Sequence, residues 1–313
     1  VAGSVGILPM LVAFGSFPRL VAYVPLRLRV LPDEREATVT SGVVAVWSHR
    51  TTLRLLVRRD LTVKYQQSVL GYLWSLIEPL GLGAIYFFVF GLLYRSATHR
   101  HLGEAAESYP LFLITGIFAW MWTSSAISEA TNALTGQARL ITTMNLPREL
   151  FPIGRVAGRF AEYVAGLPIL AAVAAVYAAL GRIDLGPSLL ALPLAVLVQT
   201  ILLVGIALLL SSLNVLMRDI ERLMRLVTRV LFYATPIIYP LALVRDSGLP
   251  GWVKIAYEVN PLVGIFQLHH SIWYPAEFPD ARLLCLSVGG SLVTLLVGAA
   301  VFRRLEPAVL KEL

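Results

Sequence analysis

The stretch PSLLALPLAVLVQTILLVGIALLLSS, residues 187–212, decides the fold. A bilayer core is about 30 Å thick, so a helix rising 1.5 Å per residue crosses it with roughly 20 apolar residues. Lipid offers no partner to an open N–H or C=O, so such a segment closes its hydrogen bonds as a helix. Working outward with the same test, further spans are expected at about 69–94, 110–134, 157–180, 226–244 and 283–302. The sequence therefore predicts an all-α integral membrane protein with six transmembrane helices.

Composition agrees. Of the 313 residues, 57% are hydrophobic and 14% charged, against roughly 45–50% and about 25% in a soluble domain. The net charge is +7, but nucleic acid is not the expected partner. Residues 1–68, 135–159, 213–229 and 303–313 hold 20 of the 26 basic residues. Basic residues gather in cytoplasmic loops, so both chain ends are expected on the cytoplasmic side. Arg95, Arg100, Arg182, Arg245, Lys254 and Arg282 then face outward. Cys285 is the sole cysteine, which leaves no intramolecular disulfide and no cysteine-rich metal site.

Three regions do not read as spans. Residues 1–42 form an extension and linker: an interfacial segment, an extra span, or an upstream piece without structure. Residues 43–68 read as an amphipathic helix in the cytoplasmic interface, because Arg50, Arg54 and Arg58 recur at i, i+4 on one face. The segment 245–282 carries an apolar stretch, Val259–Tyr274, interrupted by Asn260-Pro261 and ended by Pro275. It is too short and too broken to span, and suits a re-entrant external hairpin over about 249–276.

Several chemistries are missing from the sequence. There is no G-x-x-x-x-G-K-[ST], since none of the three lysines follows a glycine; the chain is expected to bind no ATP by that route. No H-E-x-x-H and no zinc spacing occurs. His99-Arg100-His101 reads as a solvated loop, and His269-His270 needs ligands from elsewhere to hold a metal. Glu78, inside the first span, either pairs with an interface arginine or faces an aqueous path. Glu129 and Glu162, near span ends, read as snorkelling or capping residues.

Three motifs carry a family resemblance over roughly residues 43–313. Arg59-Asp60-Leu61-Thr62-Val63-Lys64-Tyr65, then Ser68, Leu70-Gly71, Trp74, Glu78 and Pro79, resemble the opening motif of membrane subunits of ABC exporters for cell-surface polysaccharides. Pro147-Arg148-Glu149 and Pro152 resemble that family's cytoplasmic loop between spans two and three. Thr235-Pro236-Ile237-Ile238-Tyr239-Pro240 and Asn260-Pro261 resemble its fifth span and external hairpin. Gln66, Thr143 and His270 depart from residues usually basic there. The resemblance implies two copies of the chain around a channel, with two separate cytoplasmic ATPase subunits that hold the ATP and magnesium. It implies no cofactor and no catalysis in this chain. The cargo it implies is a polyprenyl-linked glycan of O-antigen, teichoic-acid or galactan type, and the expected location is a bacterial inner membrane.

On that resemblance the expected site residues are these. Arg58, Arg59 and Lys64 are placed to meet a pyrophosphate, or else lipid headgroups. Tyr86, Phe90 and Tyr94 fall at i, i+4, i+8 as an aromatic track for sugars, or as packing aromatics. The loop 136–149, with Arg139, Leu140, Ile141, Met144, Pro147 and Arg148, meets the ATPase. Tyr239, Asn260, Pro261 and His270 belong to the external gate. The rival readings are a drug or small-lipid exporter, a polytopic glycosyltransferase, and a channel or secondary transporter.

Overall fold

The computed structural model describes residues 43–93, 108–143, 146–183 and 185–313, with side chains from residue 46 onward. The readings made on residues 1–42, on Tyr94, on Met144 and on His99-Arg100-His101 lie outside the described residues. Among the described residues every regular element is a helix. In chain order they are α1 (Val43–Ser48), α2 (Arg50–Tyr65), α3 (Trp74–Tyr86), α4 (Tyr109–Thr131), α5 (Ala138–Thr143), α6 (Leu150–Ala179), α7 (Ala191–Leu216), α8 (Asp219–Tyr233), α9 (Leu241–Arg245), α10 (Gly251–Val259), α11 (Pro261–Ser271) and α12 (Ala281–Glu312).

Among the described residues, five helical stretches are long and apolar enough to cross a membrane: Gly71–Leu93, Tyr109–Thr131, Leu150–Ala179, Pro187–Leu216 and Ala281–Glu312. The first combines a 3-10 turn, α3 and a π-helical end at Phe87–Leu93. Its π turns bond i to i+5, so the i, i+4 register of the expected aromatic track drifts there.

The stretch 226–244 is not one helix. The helix α8 starts earlier, at Asp219, and stops at Tyr233. Proline at 236 and 240 withholds two backbone donors, and the chain resumes helix only at Leu241. Thr235–Ile238 are buried all the same, and the Tyr109 hydroxyl supplies a donor to the Ile238 carbonyl at 2.8 Å. A hydropathy window sees the apolar residues here and misses the break.

At the centre lies α4, mostly buried, touching α3, α6, α7, α8 and α11. The broadest seam joins α7 and α12. A Cβ on Gly298 would meet the Gly205 carbonyl oxygen at 2.1 Å, and one on Gly205 would meet the Leu295 backbone at 2.6 Å. The two backbones approach so closely because both positions lack a side chain, the usual device where lipid gives helices no hydrophobic push.

Leu262–Ser271 of α11 are all buried, against α4, α7 and α12. Asn260-Pro261 starts that helix for a physical reason. Pro261 sits where no donor is needed, and Asn260 Oδ1 accepts from the Leu262 N–H at 3.1 Å. A neutral network pins the other end. Gln199 Nε2 donates to the Ala119 carbonyl (3.0 Å) and to Thr123 Oγ1 (2.8 Å). Gln199 Oε1 must then accept, so His269 Nε2 donates to it at 2.6 Å. That leaves Nδ1 as the acceptor facing the Tyr163 hydroxyl, 3.3 Å away.

Candidate functional site

The opening motif folds into a turn and a docked helix. Gly71 has φ +50°, a left-handed conformation that favours glycine, and its N–H donates to Ser68 Oγ at 3.1 Å. That turn swings the chain from α2 into the first span. Trp74 and Glu78 remain exposed after it, while Pro79 is buried.

Along α2, Asp60 and Lys64 are one turn apart; along α6, Arg155, Arg159 and Glu162 recur at i, i+4, i+7 and share a face. The two faces meet in ion pairs. Asp60 binds Arg59 (2.8 Å) and Arg155 (3.1 Å). Gln137, buried in the turn before α5, accepts from Arg59 Nη2 at 2.9 Å and donates to Asp60 Oδ2 at 3.4 Å. One turn on, Glu162 accepts from Lys64 Nζ (3.0 Å), from the Tyr65 hydroxyl (2.7 Å) and from Arg159. Arg159, its side chain 7% exposed, also pairs with Glu129 at 2.7 Å. Burial first, then the Glu162 carboxylate, pushes the Tyr65 phenol up, so it stays a neutral donor.

Two cavities flank this junction. One of about 540 Å³ is lined by Arg59, Asp60, Lys64, Gln137, Arg139 and Arg155, among others. A smaller one of about 90 Å³ lies between Lys64, Tyr65, Trp74, Glu78, Arg159 and Glu162. Of the three expected headgroup cations, Arg59 and Lys64 are therefore already engaged with carboxylates. Arg58 is exposed and makes no ion pair among the described residues.

Glu129, Glu162, Arg155, Arg159 and Gln137 were not legible as partners of the motif. They sit far from it in sequence, Glu162 being 98 residues from Lys64, and no spacing rule connects them.

The loop residues divide. Arg139 is exposed and Leu140 half-buried, but Ile141 is buried in a cluster with Leu134, Phe151, Phe302 and Val309. Ile141 therefore offers no surface to a partner. Pro147 is buried, and Arg148 Nη1 pairs with Glu306 of α12 at 3.0 Å.

Tyr86 stacks with Phe90, ring centres 6.2 Å apart. Tyr86 also meets Phe232 at 5.5 Å, and Trp120 meets the same ring at 5.5 Å. Tyr86, Trp120 and Phe232, with Tyr233 and Arg229, line a cavity of about 390 Å³ between α3, α4 and α8. Trp120 and Phe232 belong to other helices, so no single-helix pattern pointed to them.

Tyr239 is half-buried, donating to the Tyr233 carbonyl and lying 3.1 Å from the Tyr257 hydroxyl. Asn260 Nδ2 reaches the Ala234 carbonyl and Thr235 Oγ1, each at 3.4 Å. His270 is 2% exposed, its ring 3.7 Å from that of Phe112, which places it in the core. Among the described residues no three His, Cys, Asp or Glu side chains gather as a metal site.

Long apolar helices packed around a buried centre define a multi-span membrane protein. The chain belongs to the ABC-2 type transporter family, whose membrane domain matches residues 51–272. It is 30% identical to an O-antigen export system permease protein RfbA of Klebsiella pneumoniae over 81% of this chain and 92% of that one. It is 24% identical to the protein of the same name from Myxococcus xanthus, covering 82% and 93%. It is 23% identical to the polysialic acid transport protein KpsM of Escherichia coli, covering 83% and 96%.

Proposed function

We propose that this chain is the transmembrane subunit of an ATP-driven exporter that moves a lipid-linked polysaccharide across a bacterial inner membrane. The observation that carries the reading is similarity over more than four-fifths of the chain to permeases named for O-antigen and polysialic acid. The aromatic cavity supports it. Sugar rings present C–H faces to aromatic planes, and Tyr86, Trp120 and Phe232 supply such planes beside the hydroxyls of Ser124 and Thr228.

In this reading two copies pair, and two cytoplasmic ATPase subunits carry the ATP and magnesium. Both chain ends face the cytoplasm. The segment from α8 to α9 makes the fifth of six crossings, and α10 and α11 are the re-entrant hairpin. Arg139 and Leu140 face the ATPase, and Arg58, with the cavity beside Arg59 and Lys64, meets the pyrophosphate. A drug or small-lipid cargo is the second reading, which the polysaccharide relatives disfavour.

The test is reconstitution. The chain alone in proteoliposomes is expected to hydrolyse no nucleotide and move no glycan. Adding its cognate ATPase should start both. Translocation by the lone chain, or ATP hydrolysis stimulated by drugs and indifferent to glycan, would overturn the proposal.

A further inference from the structure

Helix α8 has three faces. Ile220, Met224 and Leu231 pack inward. Leu223, Leu226 and Val230 form an exposed apolar face. Between them runs a stripe of arginines, Arg218, Arg222, Arg225 and Arg229, spaced four, three and four residues apart, so they share one side of the helix. A helix bearing such a stripe beside lipid must turn it toward water or protein, because guanidinium groups in hydrocarbon are costly.

The stripe is not uniformly neutralised. Near its start Arg222 lies 3.8 Å from Asp219, and Arg225 pairs with Glu221 at 2.6 Å. Arg229 makes no ion pair among the described residues, and no carboxylate lines its cavity. It sits ten residues up the helix from Asp219, about 15 Å from the end where α7 hands over to α8. The cavity it lines is the aromatic one, with Tyr86, Trp120 and Phe232 on the walls. Thr228 and Ser124 turn their hydroxyl hydrogens back to their own helices, to the Met224 carbonyl (2.8 Å) and the Met121 carbonyl (3.4 Å). Their oxygens are left as acceptors for sugar hydroxyls, and Arg229 as the charged donor.

We propose that Arg229 is the anion-binding group of this cavity, holding a phosphate or carboxylate carried by the glycan or its lipid while the aromatic walls take the sugar faces. This rests on the glycan-export reading and adds to it a charge preference. A planar guanidinium presents a fork of donors matched to both oxyanions. Two sources supply the anion: the diphosphate of the carrier lipid, or acidic sugars within the polymer.

The test is equilibrium binding to the full chain in nanodiscs of zwitterionic lipid. The probes are an oligomer of glucuronic acid, the neutral glucose oligomer of equal length, and undecaprenyl diphosphate. The wild-type chain is expected to prefer at least one charged probe over the neutral oligomer by about tenfold or more, the weight of one charge-assisted hydrogen-bonded pair. Arg229→Gln should erase the preference for the acidic oligomer or, if the diphosphate is the preferred probe, weaken its binding about tenfold even in an Arg58→Gln background; Arg229→Lys should keep most of the preference, and Arg222→Gln should leave it unchanged. Preference for the diphosphate alone assigns the anion to the carrier; preference for the acidic oligomer assigns it to the polymer. Equal affinity for both oligosaccharides, together with diphosphate affinity unchanged in Arg229→Gln, overturns the anion site and leaves the glycan reading standing. Binding of neither oligosaccharide and no diphosphate binding overturns both.

Discussion

Glu162→Ala is expected to cost about 3–4 kcal/mol of stability, against less than about 1 kcal/mol for Lys64→Ala. The difference follows from where each partner sits. The Lys64 side chain is 39% exposed, so water replaces most of what the ion pair supplied. Glu162 is 12% exposed and serves three donors, Lys64, Tyr65 and Arg159. Removing it leaves the half-buried Tyr65 hydroxyl without its acceptor, a loss of about 1–3 kcal/mol. It also halves the compensation of Arg159, which is 7% exposed. Breaking a buried pair outright costs about 3–5 kcal/mol; Glu129 stays in place, so roughly half of that applies. Glu162→Gln should fall between, since an amide oxygen still accepts from Tyr65. The assay is reversible unfolding of the purified chain in mixed micelles, with hydrogen exchange along Arg50–Tyr65 as a second readout. Faster exchange there in Glu162→Ala and not in Lys64→Ala would show that this carboxylate tethers α2 to α6. Equal losses for the two variants, or an unchanged α2 in both, would refute the reasoning.

Gly298→Ala should destabilise by about 1–3 kcal/mol or more, because its new methyl would lie 2.1 Å from the Gly205 carbonyl oxygen and the α7–α12 seam must part; Gly289→Ala on the same helix, with open space around it, should lose nothing in the same unfolding assay. The N–H of Leu283, and then Arg245, hold the Asp280 carboxyl below the usual aspartate range. A folded value below the unfolded one gives stability that is present above the unfolded value and lost as pH falls through the folded one, so the loss should begin below about pH 4 and be flattened in Asp280→Asn. Gln137→Leu should break the bridge from the turn before α5 to Arg59 and Asp60; with the ATPase present, ATP turnover should persist while glycan moved per ATP falls severalfold, and an unchanged ratio would remove Gln137 from coupling.

Most of the bundle was legible because lipid imposes one rule on every span, and a window of apolar residues detects it. At 226–244 the same window does not reveal the break, because buried Ile237 and Ile238 raise hydropathy although Pro236 and Pro240 interrupt the helix. The site was legible in halves. Arg59, Lys64 and Tyr65 stood out as a local motif, but their carboxylate partners come from another helix and carry no mark in sequence. Tyr86 and Phe90 were visible as a pair, whereas Trp120 and Phe232 become neighbours only through packing. His270 was assigned to the external gate through the family resemblance after Asn260-Pro261, and its contact with the Phe112 ring becomes visible only in the fold.

The distribution of charge follows the cost of removing it from water. Deep in the bundle the polar groups are neutral: Gln199, His269, Thr123 and Tyr163 satisfy one another with no formal charge. Formal charges gather at the α2–α6 junction, where the two cavities open and Lys64 and Glu129 keep 39% and 33% of their side-chain surface. There an ion pair loses less hydration than it would in the core, and Arg159 alone, with two carboxylates around it, is buried. That junction joins α2 to α6 and, through Gln137, to the turn that leads into α5. A displacement of α5 therefore reaches α2 through hydrogen bonds and ion pairs rather than through lipid. Because those bonds are short, directional and partly wet, they can break and re-form at modest cost, which apolar packing of equal strength would not allow.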